Sequence, residues 1–416
     1  MSTTLAPIPT NPDGSPDSGP DSGPDNGPVR TVVAGPVGNP AQTEMSDQTS
    51  AVERSTARRY GLTDADLEAF GAELDAIRDR IIPERGQADV DYMRRMIKIQ
   101  RGLAASGRAS LFLGFLPPFW IYGAGALGIA KILDNMEIGH NVMHGQYDWT
   151  RDPALSSSEF DWDTVCPGDQ WKHSHNYLHH TFTNVVGLDR DIGYGVLRMS
   201  EDKPWRWYDV FNPLKATGLM LAFDHGVMLH DVETENIISG KKSFAQQWPI
   251  LRDGLKKTAK LDGKDYVLWP LLTGPLFLST LAGNATANLM RNLWSFSIIF
   301  CGHFPEGTHE FSMDECRAFE DGGESGPVGR GHWYFRQLLG SANIRGNKLF
   351  HVMSGNLSHQ IEHHLFPDLP ANRYQEIAPE VEEICNRYDL PYNSRGFTAQ
   401  LGSTWKKIWK LALPGS

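Results

Sequence analysis

Apolar residues recur along the chain first in a helical rhythm and then in long runs. Between residues 62 and 84, Leu67, Phe70, Leu74 and Ile77 fall at helical spacing behind Thr63, a capping residue, which predicts an amphipathic helix. A second helix is predicted over 88–106; its Arg94, Arg95, Lys98 and Arg101 suit either a solvated face or an anionic membrane surface. The apolar runs begin at residues 109–133, which hold one charge, Lys131, over more than the ~20 residues a bilayer crossing needs. Pro117-Pro118 divides this run into a short hairpin and a longer helix directed toward His140. Residues 266–290 hold no charge, and 292–305 continue the run after Arg291, which predicts two crossings with a turn near Gly283-Asn284. Residues 216–230 are apolar but carry Asp224 and His225, which predicts an interfacial helix. The expected fold is mainly α and membrane-embedded, with four transmembrane helices in two pairs and the polar stretches 145–212 and 304–416 on one side of the bilayer.

Composition limits how far this goes. The mean hydropathy of −0.38 makes any membrane portion a minority of the chain. Residues 1–48 are low-complexity, with Asp-Ser-Gly-Pro variants repeating through 17–28, and bury too little apolar surface to offset ordering entropy; a disordered tail is expected. The expected organisation is this tail, N-terminal cytosolic helices over 49–106, and a membrane domain over 107–416. Of the net charge of −11, the tail carries −5, so nucleic-acid binding has no support. Cys166, Cys301, Cys316 and Cys385 lack CxxC spacing, which fits reduced thiols, and residues 1–30 contain no secretory signal pattern.

The 15 histidines are clustered. His140-Asn-Val-Met-His144 ends the first apolar region, His175-Asn-Tyr-Leu-His179-His180 follows, and His359-Gln-Ile-Glu-His363-His364 lies beyond the second apolar region; His303 ends the last run. Residues four apart on a helix share a face, so each cluster aims two imidazoles at one place, and each doubled histidine sends a further ring about 100° around. Imidazole suits several transition metals, but eight or nine rings exceed a single zinc site and fit two ions. No HExxH is present. His173, His225, His230, His309, His332 and His351 read as ordinary surface or core groups, with His173 the candidate exception.

At these residues the chain resembles the membrane-bound fatty acid desaturases, which carry HxxxH, Hxx(x)HH and (H/Q)xxHH boxes. Residues 360–367 are similar to the third box of the linoleoyl-CoA (front-end) branch. Residues 135–145, 299–305 and 353–370 are more similar to the actinobacterial stearoyl-CoA desaturases. The resemblance runs from about residue 62 to the C-terminus. It implies a cytosolic helical cap over four membrane helices, holding two iron ions on His140, His144, His175, His179, His180, His303, His359, His363 and His364. Gln360 begins the third box in front-end members and has the same spacing to His364 that His359 has to His363; the reading adopts His359. An asparagine that contacts iron through water in animal members corresponds to Ile299, whereas Asn292 lies eleven residues before His303.

The implied activity is O2-dependent insertion of a cis double bond into an acyl-CoA, with Δ9 of stearoyl-CoA expected and Δ5 or Δ6 kept open by the third box. Removing hydrogen from an unactivated methylene exceeds side-chain chemistry, so the work belongs to the iron pair and O2. Candidates for orienting the ligands are Glu137, Asp148, Asp189, Asn292, Gln360 and Glu362. Lys172, Arg190, Arg198, Lys203 and Arg206 are candidates for an anionic head group. Phe119, Trp120, Trp269, Trp294 and Phe296 are candidates for lining an acyl tunnel. With no four-cysteine or HPGG pattern, a separate NAD(P)H-dependent reductase or ferredoxin-type donor is expected, beside membrane lipids as surroundings. The expected location is the inner cell membrane, with the site on the cytoplasmic side. Two rival readings share the boxes: a diiron fatty acid or alkane hydroxylase, and a non-catalytic metal-binding membrane protein.

Overall fold

Thr63 caps α1 (Asp64–Glu84): its side chain accepts from the Asp66 amide while Asp66 accepts from the Thr63 amide, which satisfies two donors that a helix start leaves free. The computed structural model to which this helix belongs describes residues 55–320 and 326–415; the tail expected at 1–48 lies outside them. Leu67, Phe70, Leu74 and Ile77 are all buried, in a core shared with Phe335, Leu338, Ile361 and Tyr374. Each such side chain contributes roughly 2 kcal/mol when removed from water. This core lies between α1, α8 (Pro327–Leu339), α9 (Gln360–Leu365) and α10 (Tyr374–Arg387). α1 and α8 meet so closely that a Cβ at Gly331 would lie 1.8 Å from the Leu67 carbonyl oxygen, so only glycine fits there.

α2 (Gln87–Leu111) is longer than the sequence pattern suggested and turns into α3 (Pro117–Ile132), which starts on the proline pair; proline is favoured in a first helical turn, where its missing N–H is no loss. A Cβ at Gly123 would lie 2.9 Å from the Leu111 side chain, so α2 and α3 pack as one pair. α4 (Asn212–Leu221) and α5 (Phe223–Asp231) divide the single interfacial helix expected at 216–230. α6 (Phe244–Asp262) continues through a π-helical segment, Gly263–Leu268, and a short helix, Trp269–Leu272.

The expected turn at Gly283-Asn284 is overturned. α7 runs unbroken over Phe277–His303, and the chain reverses earlier, at Gly274, with φ 56°. Asn284 stays helical because its side chain is fully used: it donates to the Asp265 carbonyl and accepts from Arg108. No helix among the described residues is long and apolar enough to cross a membrane by itself. α11 (Phe397–Ala412) packs on α4 and α7. A short parallel pair, β1 (Asn343–Arg345) with β2 (Ser394–Gly396), sits beside α9, and the Asn343 side chain accepts from the Ile361 amide at 2.9 Å, which fixes where α9 begins.

Candidate metal centre

Two of the three histidine boxes draw on π-helical turns: Leu133–His140 ends on the first histidine of its box, and Lys172–His179 carries most of the second. The wider i→i+5 turn sets residues four and five apart near one face, so His175, His179 and His180 converge instead of His180 diverging as on an α-helix. α9 brings His363 and His364, and the C-terminal end of α7 brings His303. The eight rings interlock. His144 and His180 lie 4.7 Å apart between ring centroids, His180 and His364 4.4 Å, His140 and His363 4.9 Å, and His179 and His303 4.7 Å.

Ring nitrogens of His140, His144, His175 and His363 lie within 4.8 Å of one another, as do those of His179, His303 and His364; His180 forms a third such group with His363 and His364. Four of the outer ring nitrogens are held by acceptors. Asp189 lies 3.0 Å from His179 Nδ1, Asp191 3.5 Å from His175 Nδ1, and Gln337 Oε1 2.9 Å from His364 Nδ1. The Tyr374 hydroxyl donates to the Phe366 carbonyl and so accepts from His363 Nδ1 at 3.3 Å. A proton fixed on Nδ1 leaves the Nε2 lone pair turned inward.

Those inward nitrogens lack partners: Nε2 of His144, His175, His179 and His180 is buried with none, while His140 Nε2 and His363 Nε2 face each other at 3.2 Å, and His303 Nε2 and His364 Nε2 at 3.3 Å. Buried polar atoms are normally satisfied, and lone pairs converging from eight imidazoles are a donor set for cations. Burial, then the neighbouring rings, holds His140, His144, His180, His363 and His364 well below the ordinary histidine range, so they are neutral, as ligands must be. The residues present therefore fit two transition-metal ions.

The remaining candidates divide. His359 is not brought to the cluster: as the residue capping α9 it turns away, stacks on His351 at 4.6 Å, and burial lowers it to about 4. Gln360 takes that place, its Nε2 2.9 Å from His303 Nε2. Asp189 lies beside the imidazole of His179. Glu137 instead accepts from Tyr92 (2.6 Å) and Asn356, and burial pushes it up to about 8. Glu362 accepts from Asn343 and Tyr392, with His359 at 3.8 Å, and Asp148 accepts from Ser157. Asn292 binds the Leu221 carbonyl, far along α7 from His303.

Of the head-group candidates, Arg198 is buried and spent on the carbonyls of Lys203 and Leu411; Arg190 donates to the His230 carbonyl, and Lys172 pairs with Asp169. Lys203 and Arg206 are exposed. A cavity opens beside His140 and His175, lined by Trp162, Trp171, Tyr194, Phe223 and Val227 rather than by the aromatic residues expected from the apolar runs. Phe296 stacks on Phe300, and Trp294 donates to the Met353 carbonyl.

Sequence reasoning missed Asp191, whose Oδ1 also lies 3.0 Å from His230 Nε2, although its spacing from Asp189 was a usable signal. It also missed Gln337, Tyr374 and Trp171, which stacks on His175 at 4.5 Å; these carry no local signature. His173 lies exposed against Tyr177.

Comparison with known proteins shows the family of the chain. The chain is 46% identical over 357 residues, 85% of its length and 82% of the relative's, to the NADPH-dependent stearoyl-CoA 9-desaturase of Mycobacterium tuberculosis. It is 27% identical over 352 residues, 81% of its length and 93% of the relative's, to the sn-1 linoleoyl-lipid 6-desaturase of Synechocystis. With the fatty acid desaturase family model matching residues 109–396, across all three boxes and the cavity beside them, the chain belongs to the fatty acid desaturase family.

Proposed function

We propose that this oxidoreductase inserts a cis double bond at Δ9 of stearoyl-CoA. The observation that carries the reading is the closed shell of eight inward-facing imidazoles, together with the identity to the mycobacterial 9-desaturase. His140, His144, His175 and His363 would hold one iron, and His179, His303 and His364 the other, with His180 between them. When bound, the iron pair supplies O2-dependent removal of two hydrogens from neighbouring carbons. The balance is one O2, two electrons and two protons in, and two waters out. Asp189, Asp191, Gln337 and Tyr374 hold the rings in one orientation, so the site is pre-organised for its ions. Trp171 and Trp162 wall the adjoining cavity and keep water from the reacting carbons.

The electrons come from a separate NADPH-dependent donor on this reading. The inner cell membrane is the proposed location, with the α2–α3 turn and α3, and the stretch from residue 266 through α7, as the embedded parts and the site on the cytoplasmic side. Support comes from large apolar residues exposed on these elements: Phe115 and Ile121 at α3, Leu271 and Leu278 around the turn into α7. Exposed apolar residues on paired helices suit a lipid surrounding.

The test is expression with a reductase in a desaturase-deficient host under labelled O2, followed by gas chromatography and mass spectrometry. Oleoyl product without label is expected. Label retained in the lipid would identify a hydroxylase, and a double bond at another carbon would overturn Δ9.

A further inference from the structure

The cavity beside the imidazoles has a charged far end. On α7 its lining runs from Ile299, one turn before His303, back to Asn292, about 10 Å along the helix. Across from Ile299 the walls are apolar: Tyr194, Phe223 and Val227. At Asn292 this changes. Asp224 faces the cavity and pairs with Arg291, which also donates to the Asp163 carbonyl at 3.1 Å. Asn292 Oδ1 accepts from Arg291 at 3.3 Å and from the Asp224 amide at 3.4 Å. Behind this pair, Asp163 binds Lys131 at 3.0 Å and Lys264 at 2.6 Å, and Lys131 reaches Asp265 at 2.8 Å, so the end is backed by further ion pairs rather than by movable apolar side chains.

We propose that the Asp224–Arg291 pair, latched by Asn292, is the floor of the acyl cavity and sets the longest chain that the enzyme accepts; this rests on the desaturase reading. An acyl methyl advancing past Asn292 has to separate the Arg291 guanidinium from its carboxylate, which leaves that buried cation without a counter-ion while Asp224 keeps His225 at 2.9 Å. Each methylene it brings gains only about fourfold in binding, and a buried charge left without its partner outweighs that gain. Selectivity is therefore steep against longer chains and shallow against shorter ones, which merely leave some of the cavity unfilled.

The test uses the full enzyme with reductant and an equimolar series of saturated acyl-CoAs, stepped by two carbons on either side of stearoyl. Products are read by gas chromatography, and the same series is titrated calorimetrically without O2. Asp224→Ala/Arg291→Ala removes both charges together, so neither is left alone. It should raise turnover and binding of the chain two carbons longer about tenfold relative to the parental optimum. Val227→Phe, which adds bulk one turn from Asp224, should move the optimum shorter. If the double variant does not accumulate, Val227→Phe decides alone. Parental length profiles in the variants obtained overturn the inference while the desaturase reading stands. No product from the parent with any chain sinks that reading instead, and the calorimetric profiles still decide the floor.

Discussion

Two buried polar regions lie on either side of one cavity, and they are built on opposite rules. The ion-pair layer of Arg108, Lys131, Asp163, Asp265, Asp224 and Arg291 is internally paired: each charge meets an opposite charge. The imidazole shell has the outer nitrogens of His175, His179, His363 and His364 held by acceptors, and the inner nitrogens of His144, His175, His179 and His180 without partners. A paired cluster needs nothing further and serves as scaffold. A shell of unpaired lone pairs is complete only around cations. Burial and charge-bearing residue types are common to both, so neither separates a site from a scaffold; the direction in which the unsatisfied atoms point does.

The sharpest way to break this contrast is to remove a central ring. His180→Ala should abolish desaturation and reduce bound iron, read by elemental analysis, from two ions toward one or none; a fully loaded, active variant would end the assignment. Lys131→Met leaves Asp163 to Lys264 and Asp265 to Arg108, each with one cation fewer, and should destabilise the fold by about 1–3 kcal/mol, measured by denaturant unfolding. Asp189→Asn leaves a neutral group beside His179 and should weaken iron binding or turnover about 10–100-fold with the fold intact.

Glu137 belongs to neither region, being a neutral, hydrogen-bonded carboxyl. Burial raises it from 4.5 to about 8, so between these values the native state binds more protons than the unfolded one and stability falls as pH rises. Glu137→Gln should flatten that slope in unfolding curves taken across the window. The smallest effect is expected for His359→Ala, which should keep its iron and lose less than about threefold in turnover, since the ring stacks on His351 away from the cluster.

The boxes, the helix at 62–84 and the helical character of the apolar runs were legible because spacing along a helix is a property of the chain itself. Spacing could not choose between His359 and Gln360, because both have a histidine four residues on. The choice fell to the start of α9, which Asn343 fixes from a neighbouring strand. The turn after α6 was misread for a similar reason. Gly283-Asn284 has turn chemistry, yet Arg108 and Asp265, distant in the chain, satisfy Asn284 inside a continuous helix.

The residues themselves thus carried the clustering of the imidazoles, the family and the helical character, since these depend on residue identity and local period. Tertiary structure alone decided which nitrogens face inward, which carboxylates hold them and where the cavity stops. Those depend on groups far apart in sequence, brought together only when burial forces every polar atom to find a partner or a cation.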